Sequence, residues 1–227
     1  MLNILVIAAH PDDAELGMGA TIANLVRLGH QVNLLDLTDG EPTPCGSSEI
    51  RKTEAKASAD LLKVRSRTIL DLPNRFLQDT IEARIKIAAH IRRIKPEVVF
   101  APFWIDKHPD HAAASQLSDA AVFYSKFTKS EIPGHPWKVG KIYYFPTVHF
   151  RLHLKPSFIV DVSQDFPKKL EAIKSYRSQF VENKENLFVF DYLTRQAGYY
   201  GSLINRKYGE AFLSREEIGI EDVAQLI

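Results

Sequence analysis

The hydrophobic and polar positions of the first half of the chain follow two alternating patterns. Residues 2–9 form a nearly continuous apolar run that predicts a strand, residues 14–28 have the apolar spacing of a helix, and residues 31–37 form a second apolar run. The alternation continues with helices at 49–64 and 79–94 and strands at 67–72 and 97–102. This order predicts a Rossmann-like, three-layer α/β/α sandwich with a mostly parallel sheet.

The pattern is looser beyond residue 111. Helices are expected at about 111–125, 164–180 and 190–206, and strands at about 139–146 and 157–162. No internal repeat, low-complexity tract or linker interrupts the sequence, so residues 1–227 are expected to form a single domain.

Composition narrows the classes of partner and compartment. The 29 Lys and Arg residues nearly equal the 28 Asp and Glu residues, so no net field attracts nucleic acid or an anionic membrane surface. No apolar run approaches the roughly 20 residues that span a bilayer, and the first residues lack the pattern of a signal peptide. The single cysteine, Cys45, cannot form an intramolecular disulfide. We therefore expect a soluble, cytoplasmic protein that binds neither nucleic acid nor a membrane.

Two of the predicted strands end in clusters of His and Asp. Residues 10–15 read HPDDAE after the first strand, and residues 108–111 read HPDH after the strand at 97–102. Carboxyl ends of parallel strands meet at one edge of a sheet, so both clusters are expected there. One His and one Asp of the first cluster with one His of the second would supply the three protein ligands of a catalytic zinc site. A carboxylate and an imidazole would remain for acid–base chemistry.

Each cluster also has a structural interpretation, because an Asp at these positions can cap the helix that follows. That interpretation suffices for either cluster alone. Two such clusters at the ends of two strands favour a metal site and a hydrolase.

The segments AAHPDDAELGMGATIA and DKHPDHAAASQL resemble the two histidine motifs of the PIG-L/LmbE-like deacetylases. LTDGEPTP, LPNR at 72–75, YRSQF at 176–180 and YGEAF at 208–212 are similar to segments of the bacillithiol-pathway branch. Members of that branch deacetylate N-acetylglucosaminyl malate. The resemblance implies an N-deacetylase that acts on a small amino-sugar conjugate and assembles as a trimer or hexamer.

The resemblance also implies a metal site. By it, His10, Asp13 and His111 bind Zn²⁺, and Asp12 is the general base that takes a proton from the zinc-bound water. Such a His/Asp site also accepts Fe²⁺ or another divalent metal. Some relatives have a tyrosine near the metal, and whether Tyr192 completes this site is left open.

Further roles follow from the same resemblance. His108 is expected to stabilise the oxyanion and to help protonate the leaving amine, with Asp110 holding its ring. Arg51 and Arg75 are expected to contact the substrate, where a planar guanidinium suits a malate carboxylate. Asn74 departs from the LPDR common in the bacillithiol branch, which bears on the substrate and not on the metal site.

A dinucleotide-binding protein is a different interpretation, because Gly17 and Gly19 lie between a strand and a helix and Asp36 ends the second strand. The glycines, however, lie too far from the strand end for the phosphate-binding turn, and Ile22 occupies the third glycine position. Small residues here would serve close helix packing. Three more functions stay open: a deacetylase of another N-acetylglucosamine derivative such as diacetylchitobiose, a metal hydrolase acting on a different amide, and a zinc protein that only binds glycans.

The remaining candidate residues have ordinary structural interpretations. Glu15 either touches the site or complements the helix dipole in the first turn. The other histidines lack ligand partners at short spacing and are expected on the surface or in the core; they are His30, His90, His135, His149 and His153.

Overall fold

The computed structural model describes residues 1–149 and 153–222. Five strands form a parallel sheet in the order β3-β2-β1-β4-β5: β1 (Asn3–Ala8), β2 (Gln31–Asp36), β3 (Ser66–Ile69), β4 (Val98–Pro102) and β5 (Lys141–Phe145). The helices are α1 (Asp13–Arg27), α2 (Ser48–Leu62), α3 (Ile81–Ile94), α4 (Pro109–Ser125), α5 (Phe166–Lys174), α6 (Arg177–Phe180) and α7 (Phe188–Leu203). The predicted α/β fold with a mostly parallel sheet is confirmed.

The side chains of β1 show how helices cover both faces of the sheet. Leu5 and Ile7 lie in one apolar cluster with residues of α3 and α4, whereas Ile4 and Val6 lie in a second cluster with residues of α1. All four are buried. Successive residues of a strand point to opposite faces, so a strand covered on both sides is apolar throughout.

Local capping explains where two of the helices begin. The hydroxyl of Ser47 accepts a hydrogen bond from the N–H of Ile50 at the start of α2, and Thr80 accepts one from Ala83 at the start of α3. At its other end, α3 stops at Lys95, which has left-handed backbone angles and precedes a proline.

The predicted helix at 164–180 is wrong, because it is two helices separated at Tyr176. Tyr176 leaves the helical region with ψ 65°, and its buried hydroxyl donates a hydrogen bond to Glu15 on α1 at 3.0 Å. The partner of Tyr176 is distant in sequence, so local periodicity does not reveal this contact.

Two further strands form a small antiparallel sheet beside the main one, β6 (Phe158–Asp161) and β7 (Gly209–Phe212). A strand near 157–162 was predicted, and β7 was not. A four-residue strand whose partner lies some fifty positions earlier leaves little local signal. Backbone hydrogen bonds between Tyr144 of β5 and Leu213 connect the two sheets.

Helix α1 has a kink at Met18, where φ is −145° and ψ is 26°. The carboxylate of Glu210 accepts the N–H groups of Ala20 and Thr21 just beyond the kink, and it forms a buried ion pair with Lys169 at 2.6 Å. The small Gly17 lies against Phe145, since a Cβ atom there would approach that ring to 2.2 Å. The glycines of α1 therefore serve helix packing, as the sequence suggested.

Among the described residues, no helix combines the length and the apolar character that crossing a membrane would require.

Candidate metal centre and active-site cavity

Both His/Asp clusters lie where the order of the sheet reverses. β1 is the neighbour of β4, and the chain leaves the carboxyl end of each strand into one of the two motifs. This is the position at which open α/β sheets bind ligands. The fold therefore brings the two clusters together at one edge of the sheet, as expected.

Three side chains, His10, Asp13 and His111, each offer one ligand atom within 4.8 Å of the other two. Nδ1 of His10 is 3.1 Å from Oδ2 of Asp13, and Nε2 of His111 is 3.1 Å from Oδ1 of the same carboxylate. Asp13 and His111 are buried, and His10 is nearly so. These residues could hold a metal ion.

The donor set fits a divalent ion. Zn–N and Zn–O bonds of about 2.0–2.2 Å in a tetrahedron place ligand atoms roughly 3.4 Å apart, and the ligand atoms of these three side chains lie within 4.8 Å of one another. Within the described part of the chain, the buried Nε2 of His111 also has no hydrogen-bond partner. A buried imidazole nitrogen without a hydrogen bond and next to a carboxylate is suited to metal coordination.

The second ring nitrogen of His111, Nδ1, contacts Asp106 and Thr147. Nδ1 of His111 is 3.2 Å from Oδ2 of Asp106 and 3.3 Å from the hydroxyl of Thr147, and that hydroxyl donates a hydrogen bond to Asp106. A carboxylate in this position fixes the orientation of a metal-binding imidazole and raises its basicity.

The carboxylate of Asp110 performs the corresponding role for His10. Nε2 of His10 is 3.1 Å from Oδ2 of Asp110, and the carboxylate also accepts the backbone N–H groups of Arg75 and Leu77 at 2.6 and 3.2 Å. Asp110 is therefore bonded by three donors and orients His10.

The charges of this cluster shift its pKa values strongly. Burial alone would lower the pKa of His10, but Asp13 and Asp110 outweigh it and raise that pKa to about 9. In the same way, Asp13 and Asp106 outweigh burial and raise the pKa of His111 to about 10. Burial opposes ionisation of Asp13, yet the two histidines hold its pKa well below the usual range.

Asp12 occupies a strained position between β1 and α1. Its φ of 108° lies in the left-handed region, which a non-glycine residue rarely adopts, and it precedes the first residue of the helix. One terminal nitrogen of the Arg51 guanidinium donates to its Oδ2 at 2.6 Å. Burial raises the pKa of Asp12 to about 7, although Arg51 acts in the opposite direction. A carboxylate with a pKa near neutrality suits a general base.

Arg51 is a buried residue that holds Asp12. Only 3% of the residue is exposed, and its guanidinium binds Asp12, the carbonyl oxygen of Pro11 and, at 3.4 Å, Glu41. It lines the cavity, but its main contacts in this structure hold Asp12 in place.

The contacts of His108 differ from the predicted ones. The expected bond between the Asp110 carboxylate and the His108 ring is not found, because that carboxylate binds His10. Instead, Nδ1 of His108 accepts the backbone N–H of Asp110 at 3.2 Å. Burial and the nearby His111 lower the pKa of His108 to about 4. A neutral imidazole that accepts at Nδ1 carries its proton on Nε2, which leaves a hydrogen-bond donor.

Arg75 is exposed at the rim of the cavity. It has φ 68°, and its guanidinium donates to the carbonyl oxygen of Pro42 at 2.6 Å. Its backbone N–H, as described above, binds Asp110. Arg75 thus contributes to the site through its backbone, and its charged side chain lies at the entrance.

One cavity of about 360 Å³, a size typical of small-molecule sites, is lined by six of these residues: His10, Asp12, Asp13, Arg51, Arg75 and His108. Its polar lining includes His10, Asp12, Asp13 and His108. Its apolar walls include Leu16, Phe180, Phe188 and Val189. Tyr192 lies in a separate groove on α7, with its hydroxyl accepting a hydrogen bond from Gln196.

Three residues of the site were missed in the sequence. Asp106 lies two positions before the second histidine motif, and Thr147 and His149 follow the end of β5. His149 was expected on the surface or in the core; it is exposed, lines the cavity and lies 5.2 Å from His111 between ring centroids. The sequence did offer one indication of Thr147 and His149, because these polar residues follow a third parallel strand, β5, at the same edge of the sheet.

Glu15 belongs to a second buried cluster, which we call the Glu15 network: Glu15, Asp36, Ser58, Arg67 and Tyr176. The guanidinium of Arg67 is 2.6 Å from Glu15 through a terminal nitrogen and 2.6 Å from Asp36 through its Nε. Ser58 and Tyr176 donate to the same oxygen of Glu15. Glu15 does not line the cavity, so its role is in the protein interior.

The fold and the site define an α/β protein with a candidate metal centre at the edge of a parallel sheet. The family described as PIG-L: GlcNAc-PI de-N-acetylase matches residues 5–122. A diacetylchitobiose deacetylase from Thermococcus kodakarensis is 33% identical over 92% of this chain and 81% of its own length. The chain belongs to the PIG-L family, and the predicted membership of these deacetylases is confirmed.

Two solved structures extend the likeness to almost the whole chain. The conserved protein TT1542 from Thermus thermophilus matches with a TM-score of 0.89 and 35% identity, over 98% of this chain and 99% of that one. The N,N'-diacetylchitobiose deacetylase from Pyrococcus horikoshii matches with a TM-score of 0.82 and 30% identity, over 99% of this chain and 88% of that one.

Proposed function

We propose that this protein is a zinc-dependent N-deacetylase that hydrolyses the acetamide of an N-acetylglucosamine conjugate, with N-acetylglucosaminyl L-malate as its substrate. The observation that carries the proposal is the group of His10, Asp13 and His111 beside the carboxylate of Asp12, in a cavity large enough for an amino sugar. A binding protein would have no need of a further carboxylate beside the three side chains that could hold the metal.

His10, Asp13 and His111 would hold the zinc ion. When bound, zinc supplies a Lewis acid for the acetyl carbonyl and favours deprotonation of a water molecule. Asp12 accepts the proton of the attacking water, and Arg51 fixes the carboxylate for that transfer.

His108 acts on the oxygen of the acetyl group. As water adds to the carbonyl carbon, negative charge develops on that oxygen, and the Nε2–H of His108 is suited to donate to it. The C–N bond then breaks to give acetate and the free amine. The proton accepted by Asp12 is the one that the departing nitrogen requires, and Asp12 can return it to that nitrogen as the C–N bond breaks.

The malate conjugate is favoured by the motifs shared with the bacillithiol branch and by the cationic Arg75 at the cavity entrance. A guanidinium pairs well with a carboxylate. A second candidate, diacetylchitobiose, is favoured by the relatives that carry that activity in their names. Both candidates require the same reaction on the same acetamide.

A panel of substrates tests the proposal. Free-amine release is measured from N-acetylglucosaminyl malate, diacetylchitobiose, N-acetylglucosamine and an N-acetylated peptide at equal concentrations, with zinc-loaded protein. We expect the highest kcat/KM for the malate conjugate. Preference for diacetylchitobiose would replace the substrate and keep the reaction, whereas cleavage of the peptide alone would contradict the deacetylase proposal.

A further inference from the structure

The segment after β5 is a third strand end that reaches the site. β5 lies next to β4 in the sheet, so its carboxyl end opens onto the same edge as the histidine motifs. Thr147 anchors the segment, because this buried residue bonds Asp106 and contacts His111. The residues directly after it are therefore held beside the metal centre.

His149 follows this anchor by two positions. Its ring lies 5.2 Å from the ring of His111 and 5.5 Å from that of His108, measured between centroids, and it lines the cavity while remaining exposed. Among residues 1–149 and 153–222, neither ring nitrogen has a hydrogen-bond partner. Two other histidines differ in this respect, since His30 accepts the N–H of Leu2 and His90 contacts Arg93.

The position of His149 excludes two ordinary roles. In the described part of the chain it belongs neither to the group of His10, Asp13 and His111 nor to the other group that could hold a metal ion, which is formed by His10, His108 and Asp110. It is also not a core residue, because it is exposed to the cavity. An imidazole that neither binds the metal nor supports the fold is available to a ligand.

We propose that His149 is a substrate-contacting residue that hydrogen-bonds a hydroxyl oxygen of the amino-sugar ring. A neutral imidazole offers one donor and one acceptor, and a sugar hydroxyl offers the same pair, so the two groups match. The proximity of His149 to His108 and His111 places this contact on the sugar that carries the acetamide. The cationic Arg75 at the rim can then contact the charged group that is attached to the sugar, such as malate. This inference rests on the proposed function.

Four variants separate hydrogen bonding from packing: His149→Ala, His149→Gln, His149→Phe and the control His135→Ala. His135 is an exposed histidine in the loop before β5 and does not line the cavity. We expect KM to rise about two- to thirteen-fold in the Ala and Phe variants, the range for loss of one neutral hydrogen bond. We expect kcat and zinc content to stay unchanged, because the contact exists in the ground state and the transition state alike.

The Gln variant is expected to recover part of the loss, since its amide also donates and accepts. Calorimetry with the deacetylated amine product should show a dissociation constant weakened by the same factor in the Ala and Phe variants. Wild-type KM in the Phe variant would show a packing role and overturn the inference, as would unchanged KM in all variants. A fall in kcat at constant KM would also overturn it.

The same measurements distinguish the two proposals. A wild-type protein that deacetylates no sugar of the panel contradicts the proposed function and this inference with it. An active wild-type protein with unaltered His149 variants contradicts this inference alone.

Discussion

Two clusters of buried charged side chains meet the first turn of α1, and their charges are balanced differently. In the Glu15 network, one guanidinium, that of Arg67, binds both Glu15 and Asp36. In the candidate metal centre, the carboxylate of Asp13 lies between two imidazoles, those of His10 and His111. A guanidinium is always charged and cannot bind a metal, whereas an imidazole can lose a proton and coordinate one.

Buried charged side chains can therefore serve two purposes in this protein: one cluster stabilises the fold, and the other is suited to metal binding and catalysis. The Glu15 network carries its own counter-ion, so its contacts support the folded chain. The metal centre has carboxylates and a buried imidazole nitrogen that lacks a hydrogen bond among the described residues, which suits a cation from solution. We therefore expect substitutions in the first cluster to change stability and substitutions in the second to change metal binding or rate.

The largest effect on rate is expected for Asp12→Ala. Loss of the general base should lower kcat by about two to four orders of magnitude, while the three metal-binding side chains remain. Steady-state kinetics and zinc content measured on the same samples check this. The control Asp71→Ala removes a carboxylate that is exposed on the surface, and it should leave both quantities unchanged. Normal turnover by Asp12→Ala would contradict the role of Asp12 as the general base.

Arg67→Met tests the other cluster. It leaves Glu15 and Asp36 buried without their counter-ion, and loss of one partner from a buried pair costs roughly 3–5 kcal/mol of unfolding free energy. Urea unfolding followed by circular dichroism measures the change. Arg195→Met, which breaks an exposed pair with Asp191, should alter the midpoint little. If Arg67→Met kept its stability and lost zinc instead, the two clusters would not be separate.

Asp110→Asn tests a carboxylate that contacts the candidate metal centre from behind His10. Because the carboxylate orients His10, its loss should weaken zinc binding by about 10- to 100-fold. Competition against a chelator indicator gives the dissociation constant. Asp119→Asn, which alters a carboxylate on α4 that bonds Tyr144, is the matched control and should leave zinc affinity as in the wild type. Equal affinity in both variants would contradict an orienting role for Asp110.

His90 is a buried imidazole whose charged neighbour is the cation of Arg93, whereas His10 and His111 have carboxylates as neighbours. Burial and the nearby Arg93 lower its pKa from 6.5 to about 4. A histidine with a lowered folded-state pKa binds fewer protons when folded, so stability is full above pH 6.5 and falls as the pH drops toward 4. From pH 7 to pH 5 the loss attributable to His90 is roughly 2 kcal/mol.

His90→Gln removes this titration and retains an acceptor for Arg93. Urea unfolding at pH 7 and pH 5 should therefore show a smaller acid-induced loss in this variant than in the wild type. His135→Gln, at an exposed position, should keep the wild-type dependence. The same pH dependence in all three proteins would contradict the lowered pKa of His90.

The first half of the fold could be predicted because its elements are locally encoded. The apolar runs of β1 and β2 and the spacing of α1 appear in short windows of sequence. The break at Tyr176 was not predicted in this way; the hydroxyl of Tyr176 bonds Glu15 on α1, 161 positions earlier, and such a contact leaves no signal in a short window. The strand β7 was hidden for a similar reason.

The candidate site likewise has features that could be predicted from the sequence and features that could not. His10, Asp13 and His111 follow predicted strands, so their meeting could be inferred from topology. Which carboxylate holds which ring could not, because Asp110 reaches His10 across the gap between two strand ends. His149 lies 38 residues after the second motif, and its place became evident only with the position of β5 in the sheet.

The central claim is metal-dependent deacetylation at the group formed by His10, Asp13 and His111. Its most direct test is titration of zinc into chelated wild-type protein, with acetate release from N-acetylglucosaminyl malate recorded at each step and Asp13→Asn titrated in parallel. Our account predicts that the wild-type rate rises in proportion to added zinc and levels off at one ion per chain, while Asp13→Asn stays inactive. Acetate release that is the same with and without metal, or equal activity in the two proteins, would contradict it.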